Sequence, residues 1–325
     1  MKPDTKFLQR IKAIQESTNL ELQKLSLPEE PRYLYDPVRY VLKGKGKRLR
    51  PILVHLTCDA FGVDEGDKMT TALAVELLHN FTLIHDDIMD QDDYRHGQKT
   101  VHKKWDESTA ILSGDGVYII SQFLIAKVKT NPVEAINAFN KATLTVCEGQ
   151  AYDKIYEENQ QVTLDEYLLM VEKKTGVLLG VCAELGGILS NQTPEVRQRL
   201  KSYGINLGKA FQIQDDMLEI FSDPKTMGKS LGSDLTAGKQ TALTILAREK
   251  YPEGWDILRN KLSEKTTEEA IPAFRKWLET HKIVSTVERL IATFVDAARK
   301  ELNVVPKDKR YLLEHYTEMV LNRKK

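Results

Sequence analysis

The feature that most limits what this chain can fold into is its near-continuous helical periodicity, with no convincing strand alternation. Apolar residues that return every three or four positions give a helix one apolar face, whereas a half-buried strand needs strict alternation. The pattern predicts helices over residues 5–25, 37–42, 50–61, 67–91, 107–129, 132–158, 163–190, 194–221 and 241–250, with several more to the end. Start signals agree with it. Thr163-Leu164-Asp165-Glu166 has capping-box spacing, and Thr193-Pro194-Glu195 sets an N-cap residue ahead of a proline at the first helical position. No repeat of fixed period points to a solenoid. Pro, Gly and Ser are scattered without forming a linker, so a single all-α domain over residues 1–325 is expected.

Two acidic clusters stand out against this background: Asp86-Asp87-Ile88-Met89-Asp90 and Asp215-Asp216-Met217-Leu218-Glu219. Residues four apart share a helix face. Asp86 with Asp90, and Asp215 with Glu219, therefore project carboxylates from adjacent turns about 6 Å apart. Carboxylates this close repel, and one of them tends to keep its proton. A hard divalent cation removes the repulsion, and Mg²⁺ typically combines one or two carboxylates with phosphate oxygens of a substrate. A lone cluster of this kind is most often a solvated acidic turn. Two copies of equal spacing, preceded by Leu77, Leu78, Phe81, Leu83 and Ile84 in one case and Phe211 and Ile213 in the other, suggest the mouth of a pocket.

A polyphosphate held by metals also needs cations. The basic loop Gly44-Lys45-Gly46-Lys47-Arg48-Leu49-Arg50-Pro51 leads into a helix, where backbone N–H groups favour anions. Arg95-His96-Gly97 follows the first acidic cluster. Lys173-Lys174-Thr175-Gly176 interrupts an apolar helix, and glycine costs about 1 kcal/mol in such a position. A local break that aims Lys174 and Thr175 at a ligand is therefore expected. Lys229 and Lys239 lie in the glycine-bearing loop after the second cluster, as a lid over phosphate would require. His79, Gln150, Asp153 and Gln212 add a polar seam where core is expected.

Composition narrows the partners. Charged residues are 29% of the chain and balance to a formal net charge of zero, which argues against a general nucleic-acid binder. Cys58, Cys147 and Cys182 have no metal-type spacing and sit among apolar helical residues. With no signal-peptide pattern at the N-terminus, they suggest a reducing, cytoplasmic setting. The strongest candidate for a membrane span, residues 177–189, is short and contains Glu184, so no span is expected.

In this order, the motifs resemble the all-trans isoprenyl diphosphate synthases, the polyprenyl synthetases. The resemblance rests on the Gly46–Pro51 loop, Asp86–Asp90, Arg95 with Gly97, Gly114-Asp115, Gln150 with Asp153, Lys174-Thr175, the Phe211–Asp216 run and the loop from Gly228 to Lys239. It implies a bundle of mostly antiparallel helices around a central cavity, usually in a homodimer. It also implies a reaction. An allylic diphosphate (dimethylallyl, geranyl or farnesyl), held through about three Mg²⁺, ionises to a carbocation. The double bond of isopentenyl diphosphate attacks, and a proton is lost.

Carried over position by position, the resemblance makes Asp86, Asp90 and Asp215 direct metal ligands. Asp87, Asp216 and Glu219 act beside them or through water, with Glu219 also at a metal position. Arg95, Lys174, Lys229 and Lys239 grip the allylic diphosphate, with Gln150 and Asp153 in the same seam. Thr175 and Gln212 flank the reacting carbons. Lys47, Arg50 and His79 hold the isopentenyl diphosphate. His96 stands where the family usually has a second arginine, replacing a permanent cation by one that titrates near neutrality.

Product length in such enzymes follows the residues just before the first acidic motif. Phe81 at the fifth position, Thr82 at the fourth and no insertion in the motif resemble geranylgeranyl (C20) synthases, with farnesyl (C15) as the alternative. A class I terpene cyclase would carry a different second metal motif. A non-catalytic subunit of a heteromeric synthase would lack acidic residues that are present here.

Overall fold

The structure, a computed structural model, describes residues 5–44, 46–221, 239–263 and 267–321. In chain order its helices are α1 (Thr5–Gln23), α2 (Arg32–Leu42), α3 (Leu49–Phe61), α4 (Glu65–Met89), α5 (Val101–Lys104), α6 (Glu107–Ile125), α7 (Pro132–Glu158), α8 (Leu164–Val171), α9 (Val177–Leu189), α10 (Pro194–Phe221), α11 (Ala242–Lys250), α12 (Pro252–Ser263), α13 (Thr267–Thr280), α14 (Ile283–Glu301) and α15 (Lys307–Leu321). The strands described are β1 (Tyr94–Arg95) and β2 (Gln98–Lys99), an antiparallel pair.

Packing divides the chain into two compact units, and the chain passes between them more than once. The first takes the N-terminal stretch through Thr143, Val181–Lys201 and Leu302–Met319. The second takes Leu144–Gly180, Ser202–Glu301 and the residues from Val320.

In the first unit, α4 is the axis of the candidate site. Asp64 caps its start, accepting from the Gly66 and Asp67 nitrogens, and Glu65 and Asp67 place negative charge in the first turn. The buried Asp67 carboxylate also accepts from the backbone nitrogens of Lys129 and Thr130, at 2.8 and 2.9 Å, tying the turn after α6 to α4. Leu73, Leu77 and Ile84 of α4 share a core cluster with Val38, Leu42, Val101, Ala110 and Val117. In the second unit, Tyr167, Met170, Ile213, Ile220, Leu243, Leu246, Phe274 and Ile283 share another. The capping box at Thr163 forms as the sequence suggested, with the Thr163 nitrogen 2.8 Å from Glu166 Oε2.

The structure departs from the sequence reading in four places. α2 begins at Arg32, so Pro37, expected to open the helix, lies inside it. The segment after α4 forms a hairpin whose turn residues, His96 and Gly97, both have positive φ (50° and 77°), as a two-residue turn between twisted strands requires. Cys147 is exposed, while Cys58 and Cys182 are buried and desolvation raises both thiol pKa values, Cys182 to about 12. Among the described residues the helix long and apolar enough to cross a membrane, by length and composition alone, is α6 and not the 177–189 segment. One side of α6 is core: Ala110, Ser113, Gly114, Val117 and Ser121 are buried.

Candidate active site

The first acidic cluster occupies the last turn of α4. Asp86 and Asp87 lie in the helix, and Asp90 is its C-cap, with its nitrogen bonded to the Asp86 carbonyl at 2.8 Å. A helix C-terminus carries partial negative charge, so carboxylates are disfavoured there unless a cation joins them. The last turn of α4 contains no basic residue. Arg95, on β1, supplies one cation from outside. Its Nε donates to Asp87 Oδ1 at 2.7 Å, and its Nη2 reaches both Asp87 Oδ1 and Asp92 Oδ2. Burial works against the Arg95 charge, but Asp87, Asp92 and Asp86 outweigh it and raise its pKa further. Asp87 is thus buried and bound by protein, while Asp86 is half-buried and Asp90 exposed.

The basic loop sorts its cations by backbone conformation. Arg48, the N-cap of α3, has φ 51° and turns inward. It is buried and forms an ion pair with the buried Glu76 at 2.5 Å, and its Nε donates to Asn19 Oδ1 at 2.7 Å. Lys47 stays exposed, and Arg50 sits half-buried in the first turn of α3. Desolvation, reinforced by the charges of Arg50, Arg95, His96 and Arg48, pushes the His79 pKa well below its usual value. His79 is therefore a neutral imidazole, and its buried Nδ1 has no hydrogen-bond partner among the described residues. His96 shifts the same way: desolvation first, then Arg95, Arg48 and Lys47, lower its pKa.

Phe81 lies partly buried against the first unit's core. Its ring is 4.8 Å from that of His85, edge-on, and 5.1 Å from that of Tyr118 on α6. His85 fits because residue 114 is glycine: a Cβ there would lie 2.3 Å from His85 Nε2. Thr82 spends its hydroxyl on its own helix, donating to the His79 carbonyl at 2.9 Å.

The second cluster lies near the end of α10, and the second unit gives it a hydrogen-bonded frame. Asp216 is buried. Tyr167 donates its hydroxyl to Asp216 Oδ2 at 2.6 Å, and Gln212 Nε2 donates to Asp216 Oδ1 at 2.9 Å. Gln212 Oε1 in turn accepts the Thr175 hydroxyl at 2.9 Å. Asp215 and Glu219 are half-buried on the same helix. The expected break at Lys174 and Thr175 is present. Glu172–Gly176 is a π-helical turn between α8 and α9, a form of helix irregularity that recurs at functional sites. Lys174 leaves this turn to pair with Asp153, while Lys173 pairs with Glu148. Gln150 is buried one helical turn before Asp153 on α7.

In each cluster a buried aspartate, Asp87 or Asp216, is fixed by protein donors. Among the described residues no three His, Cys, Asp or Glu side chains converge into a ready-made metal site. Lys229 lies outside the described residues, as do Lys45 and most of the loop from Gly228 to Lys239; Lys239 itself is half-buried just before α11. Sequence reasoning missed Tyr167 and Arg48. Both read as ordinary core or loop residues until their partners are known.

Comparison with known proteins gives the class. The polyprenyl synthetase family model matches residues 31–277. A geranylgeranyl diphosphate synthase from Methanosarcina mazei is 40% identical over 288 residues, covering 88% of this chain and 87% of the relative. A geranylfarnesyl diphosphate synthase from Natronomonas pharaonis is 34% identical, covering 91% of each. The crystal structure of a geranylgeranyl pyrophosphate synthetase from Pyrococcus horikoshii superposes with a TM-score of 0.91 at 32% identity, covering 98% of this chain and 99% of that one. The chain belongs to the polyprenyl synthetase family and has the all-α fold of the isoprenyl synthases. It is a trans-prenyltransferase of the short-chain type.

Proposed function

We propose that the enzyme condenses isopentenyl diphosphate with an allylic diphosphate in the presence of Mg²⁺ and releases geranylgeranyl diphosphate. The observation that carries this reading is that each of two like acidic clusters has an aspartate, Asp87 or Asp216, held by protein donors. Arg95 balances the charge of Asp87, and two neutral donors hold the oxygens of Asp216 in place. Asp86 and Asp90 of the first cluster, and Asp215 and Glu219 of the second, are the carboxylates we assign to the ions. Mg²⁺, when bound with the diphosphate, neutralises charge that develops on the leaving group. Arg95, Lys174, Lys229 and Lys239 grip that diphosphate. Lys47, Arg50 and the neutral His79 serve the isopentenyl diphosphate, and the apolar residues ahead of each cluster keep water from the cation. The chain is read as one functional domain in a reducing cytosol, a reading supported by the buried free thiols of Cys58 and Cys182.

The C20 assignment is supported by Phe81, whose ring is braced by His85 and Tyr118, and by the names of the relatives. Farnesyl diphosphate is the alternative within the assay, and the Natronomonas relative adds a C25 outcome. The test is an incubation of purified protein with Mg²⁺, labelled isopentenyl diphosphate and each allylic primer in turn. A C20 product supports the reading. No condensation with any primer, or cyclised hydrocarbon, refutes it.

The reading includes a homodimer. Opposite its buried side, α6 exposes Ile111, Leu112, Ile119 and Phe123, the last at 64%. An exposed apolar row of this kind marks an interaction surface. Sedimentation of Phe123→Lys should then show monomer where the parent protein sediments as a dimer, and a monomeric parent would refute it.

A further inference from the structure

Asp216 accepts hydrogen bonds from Tyr167 and Gln212, and through Gln212 the relay reaches Thr175. A carboxylate only accepts. Asp216 accepts from Tyr167 at one oxygen and from the Gln212 amide NH₂ at the other. The 2.6 Å separation from Tyr167 lies in the range of charge-assisted O–H···O⁻ bonds. With its NH₂ facing Asp216, the Gln212 amide has only its oxygen to offer Thr175. An amide oxygen accepts, so Thr175 must donate, and its O–H points at Gln212. Both hydroxyl lone pairs are then turned away from Gln212. The polarity of a hydroxyl on the π-helical turn is thus set by a carboxylate two residues removed in the relay. That carboxylate is itself set by a tyrosine on α8, and Tyr167 is 1% exposed.

We propose that Tyr167 is a positioning residue for prenyl transfer: its hydroxyl fixes the Asp216 carboxylate, which orients Gln212 so that Thr175 presents oxygen lone pairs, not a proton, to the positive charge at the reacting carbon. The proposal deepens the function proposed above and rests on it. If the Thr175 hydroxyl rotated, its proton would face the developing cation, and stabilisation would become repulsion. Preorganised dipoles aimed at developing charge are among the larger contributions to catalysis, so the orientation has consequences for turnover. The grip on the diphosphate is assigned to other groups, Arg95, Lys174, Lys229 and Lys239 with the carboxylates of Asp86, Asp90, Asp215 and Glu219. Phenylalanine keeps the volume of the buried ring, so Tyr167→Phe removes the hydroxyl with little change in packing.

Four proteins test this: the parent, Tyr167→Phe, Thr175→Val and the double variant. Steady-state kcat for condensation is measured with each. The affinity for an unreactive allylic thiolodiphosphate in Mg²⁺ is measured by calorimetry, which does not depend on turnover. A coupled pair gives non-additive effects in such a cycle, whereas independent sites add. Tyr167→Phe should lower kcat about tenfold in the parent and less than about twofold when residue 175 is already valine, with affinity for the analogue unchanged within about twofold. Equal losses in both backgrounds overturn the proposal, because they assign Tyr167 a general structural role. So does an unchanged kcat in the parent background, or a loss confined to analogue affinity. A parent protein that forms no prenyl product overturns the prenyl-transfer reading itself, and the proposal with it.

Discussion

Gly149 on α7 lies so close to Lys174 that a Cβ on residue 149 would sit 2.2 Å from the Lys174 backbone nitrogen. The contact is backbone against backbone, so no flexible side chain can yield. The π-helical turn at Glu172–Gly176 is held where it is by this approach, and Lys174 and Thr175 are presented from that turn. Gly149→Ala is predicted to destabilise the protein by about 1–3 kcal/mol, the usual cost of overpacking. It should also lower kcat more than any surface substitution of similar stability cost. Urea unfolding and steady-state kinetics check this. Parent-like turnover in the alanine variant would mean that the turn does not need this approach to hold Lys174.

Phe81→Ala should lengthen the product by at least one isoprene unit. The Phe81 ring is braced on His85 and Tyr118, so its removal leaves a gap that neither neighbour can fill without giving up its own packing. Chromatography of the product reads the outcome. An unchanged C20 product with normal turnover would show that the chain end is stopped elsewhere.

The pKa of His96 is lowered by desolvation, Arg95, Arg48 and Lys47, so its charged form is confined to pH values below the ordinary imidazole value of about 6.5. If His96 faces isopentenyl diphosphate, KM should be flat from about pH 7 to 8.5 and improve only as pH falls below that reference. His96→Arg should lower KM across the neutral range, because arginine stays charged. A parent KM that rises steadily between pH 7 and 8.5 would contradict the neutral assignment.

Much of this was open to reading because helical periodicity and the acidic clusters are local patterns. α3, α7, α10 and α11 fall within a residue or two of their expected limits. The interruption near Lys174 was signalled by two charges and a glycine inside an apolar run. The β1–β2 hairpin was not visible, since two-residue strands are too short to alternate. Its signal was the His96-Gly97 pair, which the positive φ angles explain only in retrospect. Arg48 could not be told from Lys47 and Arg50 as the inward-facing cation, because one left-handed residue decides it. Tyr167 is a core tyrosine by every sequence criterion. Only its long-range partner, Asp216, marks it as part of the site.

The central claim is that the two acidic clusters act together to hold an allylic diphosphate through divalent metal. The most direct test is calorimetric titration of an unreactive allylic thiolodiphosphate into the parent protein, Asp86→Ala and Asp215→Ala, with and without Mg²⁺. Circular dichroism would establish that each variant stays helical. Binding by the parent is predicted to require Mg²⁺, and each substitution should weaken it by about tenfold or more while lowering turnover by a factor of about 10². Metal-independent binding, or parent-like affinity and turnover in either variant, would contradict the account.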